Sequence, residues 1–268
     1  MPKETDPARE LADLGARLRA APNTHMQADV VLAKAIGVEP WSTGFYEVVH
    51  SVHVRADFLS SVFDLLPMDD DHREDRKKDV AQIKAAFGGD ALRSKWQVLC
   101  DNYLKAEHVS AMAAVAPQVR GLYRYPKLSE EEIAELLVAV DHFLEYLREH
   151  QLSDQDFIRQ SMIDGMEAFQ IRLRHLGWLG WGYTIQSLQA VLTAYMALER
   201  SEPWPSPDME ALYKKSTAFF SKALGTITGA KKLADGVGFS LKAYGLIAAT
   251  TQGGPEVAKA ALKLAGLS

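Results

Sequence analysis

Apolar residues return every three or four positions along most of the first 200 residues, the spacing of one face of an α-helix. Phe45, Val49, Val52, Ala56, Leu59, Phe63 and Leu66 follow this step, from a start near Ser42 or Thr43 to a stop at Pro67. Ile133, Leu136, Val140, Phe143 and Leu147 form a second stripe. It is opened by Ser129 and Glu132, an S-x-x-E capping box in which each side chain satisfies a backbone donor at the other residue. Ser153 and Asp156 offer a further helix start, and Ile158, Met162, Met166, Phe169 and Leu173 follow it. A helix from about Thr184 to Arg200 runs through Leu188, Val191, Leu192 and Tyr195.

The punctuation between stripes is helical too. Asp6-Pro7 reads as an N-cap followed by proline at the first helical position, where a missing N–H costs nothing. That helix is expected to run to about Ala21 and end at Pro22-Asn23. A second, from about Met26 to Ile36, stops at Gly37, which can take the left-handed cap conformation. In MDDDHREDRKKDVAQIKAAFGGD acids lead and bases follow, as the helix macrodipole favours, over a thin stripe of Val80, Ile83 and Phe87. Gly88-Gly89 breaks it. Asp90 is then expected to cap a helix carrying Leu92, Trp96, Leu99 and Tyr103, continuing or bending towards Pro117. Gly177, Gly180 and Gly182 interrupt the chain once more. No segment sustains period-two alternation beside a hairpin dipeptide, and VVHSVHV sits inside a longer 3.6 period. The fold class is all-α, an irregular bundle of roughly eight to ten helices.

The sequence EPWPSP at 202–207 cannot continue a helix and favours a stiff, extended connector. The expected organisation is therefore a bundle over 1–200, a proline-rich hinge over 201–207, and a basic amphipathic helical tail over 208–268. Phe220, Leu224, Ile227, Val237, Leu241 and Tyr244 belong to one apolar stripe of this tail, with Lys222, Lys231, Lys232 and Lys242 mostly off it. Gly225, Gly229, Gly236, Gly238 and Gly245 weaken it as an isolated helix, by about 1 kcal/mol each relative to alanine. The tail is thus expected to need a partner surface.

Composition adds exclusions. With 47% hydrophobic and 24% charged residues the chain is an ordinary globular one, neither disordered nor a disulfide scaffold. Its net charge of −5 lacks the electrostatic footprint of a nucleic-acid binder. The charge is uneven, about +4 from Asp208 onward and about −9 before it. A single cysteine, Cys100, fits a reducing compartment. The charged, helical start does not read as a secretory signal, and no run of 18 apolar residues suggests a spanning helix. A bacterial cytoplasmic protein is the expectation, peripheral to a membrane if the tail lies in an interface.

Four constellations carry candidate chemistry. Glu47, His50, His53 and Asp57 are the most ligand-like, because E-x-x-H places a carboxylate and an imidazole one turn apart as in carboxylate-bridged di-iron bundles. On a helical wheel they fall at about 0°, 300°, 240° and 280°, opposite an apolar face centred near 140°. That side is a solvated polar face, and no second E-x-x-H exists to complete a site. Arg120, Arg124 and Lys127, interleaved with Tyr123 and Tyr125, have the residue types for phosphate contact and base stacking. They are equally ordinary partners for a helix end.

Trp178, Trp181 and Tyr183 in GWLGWGY are either an exposed partner-binding knob or rings folded back over helix ends. Arg172, Arg174 and His175 invite comparison with the R-x4–6-H motif of the HEPN ribonucleases, but Arg172 and His175 are only three residues apart. The run Asp69, Asp70, Asp71 lacks EF-hand spacing and suits a helix start. No phosphate-cradling glycine loop, nucleophile elbow or paired Cys-x-x-C occurs, so no cofactor is expected. The leading expectation is a non-enzymatic interaction or assembly protein acting through protein–protein contacts of its tail. The alternatives are a membrane-perturbing effector of a bacterial toxin or antiphage system, and a HEPN-like nuclease or metal enzyme.

Overall fold

The computed structural model describes residues 4–22, 24–152, 156–200 and 206–228. The chain is an all-α multi-helix bundle, with extended pieces of two residues at Glu4–Thr5 and Tyr125–Pro126. It divides into two units. The N-terminal unit comprises Thr5–Arg124 together with His175–Tyr183, and the C-terminal unit takes Met1–Glu4, Tyr125–Arg174 and the chain from Thr184 onward.

In the N-terminal unit, α1 (Pro7–Arg19) begins as the sequence predicts, with Asp6 accepting from the Arg9 amide at 2.9 Å. Leu11, Leu14 and Leu18 are buried from this helix. A Cβ on Gly15 would lie 2.8 Å from Val109, so glycine there lets α1 pack closely on a later helix. Helix α2 (Ala28–Ile36) ends at Gly37, whose φ of +82° is the left-handed cap. Helix α3 (Thr43–Phe63) is capped by Ser42 and buries Phe45, Val52, Ala56, Leu59 and Phe63. Asp69 caps α4 (Asp70–Ala85) by accepting from the His72 amide at 2.9 Å, which accounts for the acidic run.

The stretch from Asp90 departs from the expected helix through Leu92, Trp96, Leu99 and Tyr103 that continues or bends towards Pro117. It forms α5 (Gly89–Arg93), α6 (Trp96–Asn102) and α7 (Ala106–Leu122), with Gly88 rather than Asp90 at the first N-cap and Pro117 inside α7. The reason is long-range backbone pairing. Ala28 N donates to Ser94 O and Trp96 N donates to Met26 O, both at 2.9 Å, so residues 94–96 run extended against 26–28. Pro117 removes one intrahelical bond, which the packed surroundings of α7 tolerate. Helix α7 packs on α1 and α4, and α3 packs on α1 and α4.

In the C-terminal unit, α8 (Glu130–Glu149) opens with the capping box: Ser129 Oγ accepts from Glu132 N at 3.2 Å, and Glu132 Oε2 accepts from Ser129 N at 2.7 Å. Helix α9 (Asp156–Arg174) lies antiparallel to it, since Arg148 pairs with Glu167 at 2.7 Å while Asp141 meets Gln170 and Arg174. The chain then forms α10 (Leu176–Leu179) in the N-terminal unit, α11 (Trp181–Gln186), and α12 (Leu188–Glu199) back in the C-terminal unit.

The last described helix, α13 (Pro207–Thr228), packs on both α8 and α12. With α8 on α9 and α9 on α12, the contacts close a ring of four helices, a four-helix bundle. Met209, Leu212, Phe219, Phe220 and Ala223 of α13 are buried in it. Phe219 stacks on Phe143 with centroids 4.7 Å apart, and Tyr195 hydrogen-bonds Thr217 at 2.7 Å. Residues 207–228, read from the sequence as the front of a separate tail, are thus a structural member of this unit. Residues 201–205, most of the expected hinge, and 229–268 lie outside the described residues.

Candidate functional site

The glycine- and tryptophan-rich segment 177–183 is the candidate around which the N-terminal unit concentrates charge. Its backbone is gripped by side chains from two helices. Arg17 of α1 donates to Gly177 O at 3.0 Å and lies over the Trp178 ring, 4.8 Å from its centroid. Arg55 of α3 donates to Trp178 O at 3.1 Å. Trp181 N donates to both carboxylate oxygens of Glu10, at 3.0 and 3.1 Å. Gly180 makes the approach possible. Its φ is +79°, and a Cβ there would fall 2.8 Å from Glu10 Oε2 and collide with Arg55.

This arrangement settles where the two indoles go. Trp181 is 1% exposed, among the largest fully buried side chains, while Trp178 and Tyr183 are partly buried against the core. Tyr183 meets His50 edge-on at 6.1 Å. The indole Nε1 of Trp181 is buried without a hydrogen-bond partner among the described residues. The rings are folded back, so the turn does not offer a pair of exposed tryptophans to a partner.

Glu10 and Arg55 are the charged residues that sequence reasoning passed over. Arg55 is buried at 6% exposure. On the wheel that places Glu47 at 0°, it falls at about 80°, within 60° of the apolar centre of its helix, which is the signal that marks it. Burial of the Glu10 carboxyl pushes its pKa up to about 7, against the opposing pull of Arg55 and of the Trp181 amide. One turn earlier, Asp6 is also raised by burial, although it caps α1 and accepts from Arg120 at 3.0 and 3.1 Å.

The bond to Asp6 bears on the proposed phosphate contacts, because the Arg120 guanidinium is engaged by a fully buried aspartate side chain. Arg124 is exposed and donates to Arg120 O, and Lys127 is exposed. Tyr123 and Tyr125 are 4% and 3% exposed, with Tyr123 packed edge-on against Phe58, so neither ring offers a face for stacking.

The ligand-like set on α3 is dispersed among separate neighbours. Asp57 pairs with Lys84 at 2.5 Å, His53 Nε2 lies 3.3 Å from Phe87 O, His50 meets Tyr183, and Glu47 is partly buried. Among the described residues no group of three or more His, Cys, Asp or Glu side chains is placed to hold a metal ion. Arg172 and Arg174 lie on α9, and His175 follows its end. Cys100 is half-buried, and burial raises its thiol pKa, the opposite of what a nucleophile needs.

A groove between α4 and α7 opens two adjoining hollows of about 400 and 600 Å³ that share Arg76, Ala111 and Ala114. Its charged wall is an ion network: His108 Nδ1 lies 2.8 Å from Asp79, which Arg76 also meets at 3.1 Å. Arginine and imidazole therefore both turn towards the same carboxylate.

Of the tail residues with expected contacts, Phe220 is 0% exposed and packs on Tyr195 at 5.3 Å and on Phe219. Leu224 and Ile227 lie on α13, and their side chains are outside the described set. Val237, Leu241 and Tyr244 fall outside the described residues altogether. No described helix is long and apolar enough to cross a membrane. No protein-family model, curated protein or solved structure matches the chain.

Proposed function

We propose that this chain is a helical assembly protein that makes protein–protein contacts, first of all with copies of itself, through residues 229–268. The observation that carries this reading is the seating of α13. Its buried face closes the four-helix unit, so Met209, Leu212, Phe219, Phe220 and Ala223 already have partners in their own chain. The same three-and-four stripe continues in sequence through Val237, Leu241 and Tyr244, on a segment with five lysines and two acids. That segment is rich in glycine and alanine and is a poor helix in isolation, so a partner surface is what would order it.

The test is to compare the full chain with a chain ending at Thr228 by size-exclusion chromatography with light scattering. The full chain is expected to exceed the monomer mass of 29.6 kDa, and the shorter one to be a folded monomer with unchanged helicity. A shortened chain that associates as the full one does would overturn the reading. Ending the chain at Arg200 would be a poor test, because it strips α13 from its core. Lysines beside an apolar stripe also suit an anionic membrane surface. Binding of the full chain, but not the chain ending at Thr228, to anionic vesicles while both stay monomeric would favour the membrane-perturbing effector instead.

A further inference from the structure

We propose that residues 177–181 are a releasable clasp on α1 and α3, and that the proton on Glu10 decides how firmly the clasp is seated. The geometry singles out this segment because side chains of α1 and α3 grip its backbone: Gly177 O by Arg17, Trp178 O by Arg55, and Trp181 N by Glu10. Leu179, 1% exposed and part of the buried cluster that includes α1 and α3, holds the segment in. The Trp181 Nε1, buried with no hydrogen-bond partner among the described residues, works against this, since a desolvated donor regains its hydrogen bond when water reaches it. Gly180 keeps the left-handed conformation accessible at low cost in either state.

The charged groups around Glu10 fix the sign. Arg55 faces it from α3 and favours its ionised form, whereas Asp6 and Asp13 on its own helix disfavour that form. From α7, Arg120 is occupied by Asp6. Arg17, farther along α1, is held at Gly177 and Trp178, and His50 of α3 is against Tyr183. Desolvation outweighs the favourable partners and raises the pKa to about 7, whereas a carboxyl that water reaches moves down towards the ordinary value of 4.5. The seated form therefore binds more protons than the released one between these values, and rising pH favours release. With those two values the release constant grows about tenfold between pH 6 and pH 8 and levels off above.

Hydrogen–deuterium exchange of the Trp181 amide in the full chain reads this directly. After correction for the intrinsic pH dependence of exchange, its protection is expected to fall about tenfold from pH 6 to pH 8. Protection of α7 amides such as Val115 should exceed that of Trp181 at both pH values, which separates clasp release from unfolding. The Glu10→Gln variant, which has no proton to lose, should show no such fall. Constant Trp181 protection in the native chain would overturn the proposal without recourse to any variant. So would a Glu10→Gln chain that keeps the native pH trend.

Discussion

At the scale of single residues, a carboxyl and a guanidinium in the N-terminal unit carry most of what is unusual. Because the folded pKa of Glu10 lies above its ordinary value, its contribution is fully present below about pH 4.5 and is lost as pH rises through 7. The gap between 4.5 and about 7 corresponds to roughly 3 kcal/mol. Urea unfolding of native chain and Glu10→Gln at pH 5 and pH 8 should therefore diverge, with the native chain losing the more stability on going to pH 8. Parallel losses in both chains would show that another group is responsible. Gly180→Ala meets two obstacles, the positive φ and the crowding by Arg55 and Glu10. It is expected to lower stability by about 2 kcal/mol or more, measured by the same unfolding curves. A change within about 0.5 kcal/mol would mean that the turn is not tightly seated.

Legibility at this scale was uneven. Asp6, Ser42, Ser129 and Gly37 act where the sequence places them, because caps are set by neighbours within three or four residues. The Glu10–Trp181 bond joins positions 171 residues apart, and no local pattern announces such a partner. Arg55 could have been noticed as a charge on an apolar face. Which residue would answer it could not.

Among elements, glycines mark the closest helix approaches. A Cβ on Gly165 would fall 2.6 Å from Val191 Cγ2 and 3.3 Å from the Val191 amide, so α9 and α12 meet at that point. Gly165→Ala should destabilise the C-terminal unit by about 1–3 kcal/mol despite its better helix propensity. Adding Val191→Ala should recover part of the loss, a non-additive result that a double-mutant cycle would reveal. Simple additivity of the two losses would place the contact elsewhere. The capped stripes at 43–63 and 130–149 were readable because they are long and self-contained. The division of 89–122 into three helices was not, since the break at 94–96 is imposed by pairing with residues 26–28.

For the molecule as a whole, the all-α class followed from periodicity, while its division into units did not. The chain leaves the C-terminal unit at Arg174 and returns at Thr184, an excursion that periodicity cannot register. Proline content at 202–207 marked a boundary in sequence, yet α13 beyond it completes the four-helix unit. What distinguishes a docked helix from a free one is the complementary surface offered by α8 and α12. Phe143 and Tyr195 supply much of it, from 76 and 25 residues before Phe219 and Phe220 respectively.

Self-association through 229–268 is tested most directly by light-scattering mass across a concentration series. Three full chains suffice: the native one, Val237→Asp with Leu241→Asp, and Lys231, Lys232 and Lys242 each changed to Gln. The account predicts a native mass above 29.6 kDa that falls to the monomer when the two apolar residues become acidic and survives neutralisation of the lysines. A native chain that remains monomeric throughout, or one whose mass ignores the acidic substitutions, would contradict it.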